Sequence, residues 1–467
     1  MKRMRILNGI ILIAATMMLS SCFVAKDYVG PELQELNKLY RTENLPTDSL
    51  SMATLSWKEI FTDPYLKRYI EEGLSNNMDI RIAVQQMLAA EAYAKQGRAG
   101  YLPALNAGAS VTHQELAKNS QFGSFFNGSL DQFELTGNLS WEADIWGKIR
   151  SNKRAVQAAY MQSVAGHQAV KTLLVANIAT TYYNLLALDA QLNVAQRTVE
   201  TREKSIETIK SLKDAGRVTQ VAVDQYIAQY NQAKALEVDL RSAIFKTENT
   251  LNILLGKDAG PIERSLLNNQ ELTDDIEIGL PSSLLRNRPD VMASEYALIN
   301  AFELTNVARS NFYPSFTITG RGGFQSLQLD QLLSANSLFA NVVGGITQPI
   351  FNQRKVKTQY EVAKAQQEQA LLQFKKSLLT AGNEVSDALY SYHAETEKIN
   401  YRKEEVEALR RAESNSEELL NNGYATYLDL LTARQGVLNA ELNVIDTKLQ
   451  QILAVVNLYE ALGGGWR

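Results

Sequence analysis

One thiol and three imidazoles are the most reactive side chains in this chain. The thiol is Cys22, the only cysteine in 467 residues, so an intrachain disulfide is excluded. The imidazoles are His113, His167 and His393, one in a strand-like stretch and two in helix-like ones, far outside the spacing of a metal cage. No nucleophile stands in a motif with a base, and no glycine-rich loop could cradle phosphate. The chemistry points away from an enzyme and toward a protein with no metal and no cofactor. Many Glu/Lys pairs stand at helical spacing, the pattern of solvated helix faces. Formal net charge is −4, and no Lys/Arg run forms a nucleic-acid footprint.

Cys22 therefore owes its interest to what precedes it. Lys2, Arg3 and Arg5 form a basic start, and Ile6 to Leu19 is an apolar stretch too short to span a bilayer, as in a signal peptide covering residues 1–21. Its end, Leu19-Ser20-Ser21-Cys22, resembles a bacterial lipobox. That resemblance implies cleavage before Cys22 and a covalent lipid on it. Processing would remove three positive charges and move the net charge from −4 to −7. Phe23 stands where Asp would favour inner-membrane retention, which fits the outer membrane.

The elements around these residues are mostly helical. Residues 22–62 read as an anchored, extended strap with Pro31 and Pro46, and helix begins near Pro64. Leu428, Leu431, Gln435, Leu438, Leu442, Ile445, Leu449, Ile452, Val456 and Tyr459 step by three and four without a break, a heptad seam. Leu371, Phe374, Leu378, Ala381, Val385, Ala388 and Tyr392 form another, continued by Ile399, Val406, Leu409 and Leu420. Asn421-Asn422-Gly423-Tyr424 between them suits a turn, so the chain ends in a long helical hairpin. An earlier pair, expected over 147–215 and 221–255 with a turn at Gly216, carries its seam on Leu185, Leu188, Leu192, Ala195, Val199, Ile206 and Ile209. A helix of ~69 residues is on the order of 100 Å long, more than a globular core spans.

Four stretches change to a period of two, the pattern of half-buried strands: 104–114, 132–142, 315–325 and 338–350. Leu105, Ala107, Ala109 and Val111 alternate with polar or small residues, as do Phe133, Leu135, Gly137, Leu139 and Trp141.

The chain is also duplicated. Gly216-Arg217-Val218-Thr219 matches Gly423-Tyr424-Ala425-Thr426 at a shift of 207, as do Leu255-Gly256 with Leu462-Gly463 and Ile149 with Val356. Asp79 matches Asp290, and Pro103 matches Pro314, at 211. The repeats run over 63–260 and 282–463, with a linker at 261–281 and a short tail at 464–467. Each reads as helix, strand, loop, strand, long helix, turn, helix.

Four strands cannot close a cylinder, and open sheet edges are not tolerated in lipid. Strands of about ten residues with one apolar and one polar face suit an outer membrane. Several copies must then share one barrel, with the helical hairpins continuing its wall. The fold expected is mainly α with a transmembrane β-barrel part.

Four segments carry a family resemblance: Trp57 with Phe61-Thr62-Asp63-Pro64, Leu285-Arg286-Asn287-Arg288-Pro289-Asp290-Val291, Trp141 to Arg150, and Gln348-Pro349-Ile350-Phe351. In combination they resemble the TolC-like outer-membrane efflux proteins, in their lipoprotein branch, over essentially the whole mature chain. The resemblance implies a homotrimer with a shared β-barrel and a periplasmic α-barrel. It implies a passive exit duct for drugs, detergents, bile salts or metals, driven by an inner-membrane RND transporter through a periplasmic adaptor. The turns would then be the tunnel tips that meet the adaptor, at Gly216, Val218, Thr219, Gly423, Ala425 and Thr426. Glycine and threonine at such places also cap helices. Asp429, just past the second turn, would be the aperture gate, three copies closing on an axis, attracting cations and resisting full ionisation. Some relatives carry their acid three residues later, where this chain has Thr432. A conduit for type I protein secretion shares this fold. A reading of another class, a lipid-anchored periplasmic coiled-coil scaffold, explains the seams but not the strands.

Overall fold

The structure is a computed structural model that describes residues 24–32, 39–41, 52–120, 123, 129–270 and 283–466. Residues 1–23, with the expected signal peptide and Cys22, lie outside them, as does much of the expected strap and linker. Nine α-helices are described: α1 (Trp57–Ile60), α2 (Pro64–Asn76), α3 (Met78–Ala99), α4 (Lys148–Asp214), α5 (Gln220–Leu255), α6 (Leu284–Asn287), α7 (Pro289–Ser310), α8 (Lys355–Asn421) and α9 (Tyr427–Ala461). The strands are β1 (Ala104–Glu115), β2 (Ser129–Ala143), β3 (Ser315–Ser326) and β4 (Leu338–Thr347).

Most boundaries fall within a residue of the sequence reading, and three features differ by more. α1 lies inside the expected strap and is held by a capping box between Ser56 and Glu59, which buries Trp57 and Ile60. β2 starts at Ser129, because Ser129, Leu130 and Asp131 pair with Glu115, Gln114 and His113 of β1. β4 stops at Thr347, ahead of Pro349, which has no N–H for a ladder. No helix among the described residues is long and apolar enough to cross a membrane.

The chain divides into two compact units, and neither coincides with a sequence repeat; each draws on both. The first holds residues up to 32, 87–163 and 294–374. Its centre is an antiparallel sheet in the order β1-β2-β3-β4, which leaves β1 and β4 as the two edges. The described start of the chain is tied to α7: Asn306 accepts from the Lys26 N–H at 3.3 Å and donates to its carbonyl at 2.8 Å. Arg154 reaches Asp27 at 2.8 Å.

The second unit holds 33–86, 164–293 and 375–467. Here the heptad positions are buried or half-buried: Leu185, Ala195 and Ile209 on α4, Leu378, Ala381, Val385, Ile399 and Val406 on α8, and Leu438, Leu449, Ile452 and Val456 on α9 are buried, whereas Leu188, Leu192, Ile206, Tyr392, Leu409, Leu420, Gln435, Leu442 and Ile445 are half-buried. Leu428 is an exception at 51% exposure. It stands in the first turn of α9, where Tyr427 and Leu431 make the contacts instead.

Candidate functional site

The ladders extend single-strand alternation into a two-faced surface. Ala109, Leu135, Phe324 and Leu338 form one row, and Leu105, Leu139, Gly320 and Val342 another, on the same face. Val111 with Phe133, and Ala143 with Phe316 and Ile346, bound it. The opposite face carries Asn106, Asn138, Arg321 and Asn341 in one row, and Ser110, Glu134 and Gln325 in another. Arg321 pairs there with Glu134. From Phe133 to Ala143 the apolar face rises ~34 Å at ~3.4 Å per residue, or ~26 Å at a ~40° tilt, matching the ~25 Å apolar band of outer-membrane barrels.

The two hairpin turns share one backbone device. Gly216 has φ +74° and Gly423 φ +79°. The Gly216 N–H donates to the Lys213 carbonyl at 2.8 Å and the Arg217 N–H to that of Leu212 at 2.9 Å. Gly423 and Tyr424 repeat this on Leu420 and Leu419 at 3.1 and 2.8 Å. These are paired Schellman closures, which need a left-handed residue after the helix. A Cβ on either glycine would meet no atom within 4 Å, so only backbone conformation demands glycine.

The turns differ where the next helix starts. Thr426 accepts from the Asp429 N–H at 3.4 Å, while its own N–H and hydroxyl donate to the Asp429 carboxylate at 2.8 and 2.7 Å. Thr219 makes no side-chain cap, and Ala222, which stands where Asp429 does, has no carboxylate to complete a capping box. The hydroxyl and then the backbone N–H of Thr426 hold the Asp429 carboxyl below its usual range. Within one copy Asp429 is thus an exposed helix cap, and this bonding favours the ionised form, opposite in sign to the effect expected of an acidic ring.

Of the residues expected at the tips, Val218 packs on an apolar cluster of Ile209, Ala222, Val223, Tyr226 and Leu431. That cluster brings the two turns together. Gly216, Thr219, Gly423 and Thr426 are exposed, and Ala425 is half-buried. Sequence reasoning missed Val221 and placed Leu428 in a buried seam; the two are related by the same 207 shift and exposed by 58% and 51%.

It also missed two arginines just behind the turns. Arg202, buried on α4, donates to Gln435 of α9 at 2.7 Å and to the Gln229 carbonyl of α5. Burial, and then the nearby Arg434, depress its pKa. Arg434 of α9 reaches Glu417 at 3.0 Å, Glu413 at 3.3 Å and Ser205 of α4. The signal was a charged residue in a packed stripe, which the heptad reading passed over. The histidines stand apart: His113 Nδ1 lies 2.6 Å from Asp131 on the neighbouring strand, and the others are on α4 and α8.

A face of membrane height on a sheet whose two edges are unpaired among the described residues, in a chain whose longest helices run 67 residues, defines a channel-wall protein of the outer membrane. The chain belongs to the outer membrane efflux protein family, whose pattern matches residues 69–257 and 280–464. It is 28% identical over 465 residues, 97% of this chain and 96% of the other, to the probable efflux pump outer membrane protein SepC of Pseudomonas putida. It is 26% identical over 457 residues, 97% and 98% of the two chains, to the probable outer membrane lipoprotein SilC of Salmonella typhimurium. The solved structure of CusC, described as forming a transmembrane channel, superposes with a TM-score of 0.83 at 25% identity, covering 95% of this chain and all of that one.

Proposed function

We propose that this chain is the outer-membrane exit duct of a tripartite efflux system. Three copies join their four-stranded sheets into one twelve-stranded barrel, and their helical hairpins form a tunnel on the periplasmic side. The duct is passive: an inner-membrane RND transporter supplies the energy, and a periplasmic adaptor seats on the turns around Gly216, Val218, Thr219, Gly423, Ala425 and Thr426. Cys22 carries a covalent lipid in the outer membrane. The cargo is small molecules; relatives are named for toluene and antibiotic efflux. The carrying observation is the apolar face of ~26 Å on a sheet too narrow to close alone.

The test combines three measurements on the acylated protein in detergent and bilayers. Native mass should give a trimer, planar bilayers a conductance, and a deletion strain should become sensitive to drugs or bile salts. A monomer without conductance would overturn the reading. Loss of a secreted protein with unchanged drug sensitivity would move it to secretion.

A further inference from the structure

The junction after β4 has a conformation and an exposure that its own copy does not account for. Gln353 and Arg354 both hold positive φ, 54° and 64°, although neither is glycine. Arg354 is braced by Glu361 at 2.9 and 3.1 Å. Just ahead of them, Ile350 and Phe351 are 84% and 98% exposed. Strained backbone persists where surroundings over-determine it, yet these two apolar side chains touch little of their own copy. At the opposite sheet edge, Leu102 before β1 is 68% exposed.

The duplication supplies a template. At the 207 shift Gln353 and Arg354 correspond to Trp146 and Gly147; at the 211 shift Tyr101, Leu102 and Pro103 correspond to Phe312, Tyr313 and Pro314. In the first repeat this junction is packed inside one copy. The Trp146 ring lies 4.9 Å from that of Tyr313, and its indole N–H donates to the Pro314 carbonyl at 2.7 Å. β3, which follows Pro314, is the neighbour of β2. Among the described residues β4 has no such neighbour in its own copy, and the strand that must take that place is β1 of another.

The tilt of a barrel gives the same partner. Strands ~4.8 Å apart, inclined at about 35–45°, descend ~4–6 residues over four strands. Ala104 is level with Val343 through Ser140 and Thr319. Ala104 of the next copy therefore falls opposite about residues 347–349. Phe351 then lies opposite about residues 100–102, on the segment that the repeat selects.

We propose that residues 350–353 of one copy seat on residues 101–103 of the next, closing each seam of the barrel at its helix-proximal rim with an apolar clasp. This rests on the trimeric duct proposed above. Gln353 is placed to donate to the Pro103 carbonyl as Trp146 does to Pro314.

The test is cysteine cross-linking of the full acylated protein in outer membranes with a short bis-maleimide. The double variants are Leu102→Cys with Phe351→Cys, and Leu102→Cys with Gln353→Cys. Each single variant, and the parent with Cys22 alone, serve as blanks, and Val111→Cys with Phe351→Cys is the distance control. Dimer and trimer bands from the first two pairs, absent from blanks and control, are expected. Trimers by native mass without those bands would overturn the clasp and leave the duct standing, whereas absence of trimers would overturn the duct itself. Quenching of a Phe351→Trp variant by brominated lipid in intact trimers would assign the residue to the bilayer and also overturn the clasp.

Discussion

Asp63 shows how much one side chain can hold. Its carboxylate caps α2 through the N–H groups of Tyr65 and Leu66 at 2.8 and 3.2 Å. It also accepts from Tyr182 at 2.9 Å, Gln270 at 2.9 Å and Ser265. Burial works against its charge, but these hydrogen bonds outweigh it and keep the carboxyl below the usual range. An acid with depressed pKa adds stability above its unfolded value of 3.8 that is lost as pH falls through the lower folded value. Asp63→Ala should therefore cost about 3 kcal/mol at neutral pH by leaving buried donors unpaired. Denaturant titrations should show the difference from the parent shrinking as pH drops below 3.8. Glu460 has the opposite sign. Burial, and then Glu384, raise its pKa, so its charge opposes folding as pH rises through the folded value. Glu460→Gln should leave thermal stability at pH 7 unchanged or higher. The Asp-Pro step was legible in sequence as a helix start, while its partners, 119 to 207 residues away, were not.

Elements were the most legible level, because heptads and alternation are local periodic facts. α1 escaped because four residues hold no period, and Leu428 was misjudged because a seam need not reach the first turn. Each closing glycine makes an element-scale prediction. Gly216→Ala or Gly423→Ala should lower stability by about 1 kcal/mol through the left-handed backbone alone, with no clash. Urea midpoints measured on each variant check this. Asp429 needs two variants, because it caps a helix as well as carrying charge. Asp429→Asn keeps an acceptor for the cap, whereas Asp429→Ala removes both. If the charge gates, both should weaken cation selectivity in planar bilayers, and Asp429→Ala should also raise leak conductance. Unchanged traces in both would leave the residue as a cap only.

At the scale of the molecule, the duplication and the need for closure were visible in the sequence. The compact units were not, because periodicity records which residues face a neighbour and not which neighbour it is. The two faces of the sheet make a paired prediction from adjacent residues. Leu139 lies near the middle of the apolar face and Asn138 on the polar one. Leu139→Arg should cost about 2–4 kcal/mol of barrel stability in bilayers. Asn138→Arg should fold normally and shift single-channel selectivity toward anions. Heat-modifiable gel mobility and conductance separate the two outcomes.

The unequal helix starts after the two turns carry a consequence for motion. A reciprocal capping box between Thr426 and Asp429 ties down the Asp429 amide in the first turn of α9, whereas Thr219 gives the first turn of α5 no side-chain cap. Deuterium should therefore enter the opening turn of α5 well before that of α9. Around a threefold ring, pliant and stiff points would alternate, so that any body pressing on the rim would find three places that yield and three that resist.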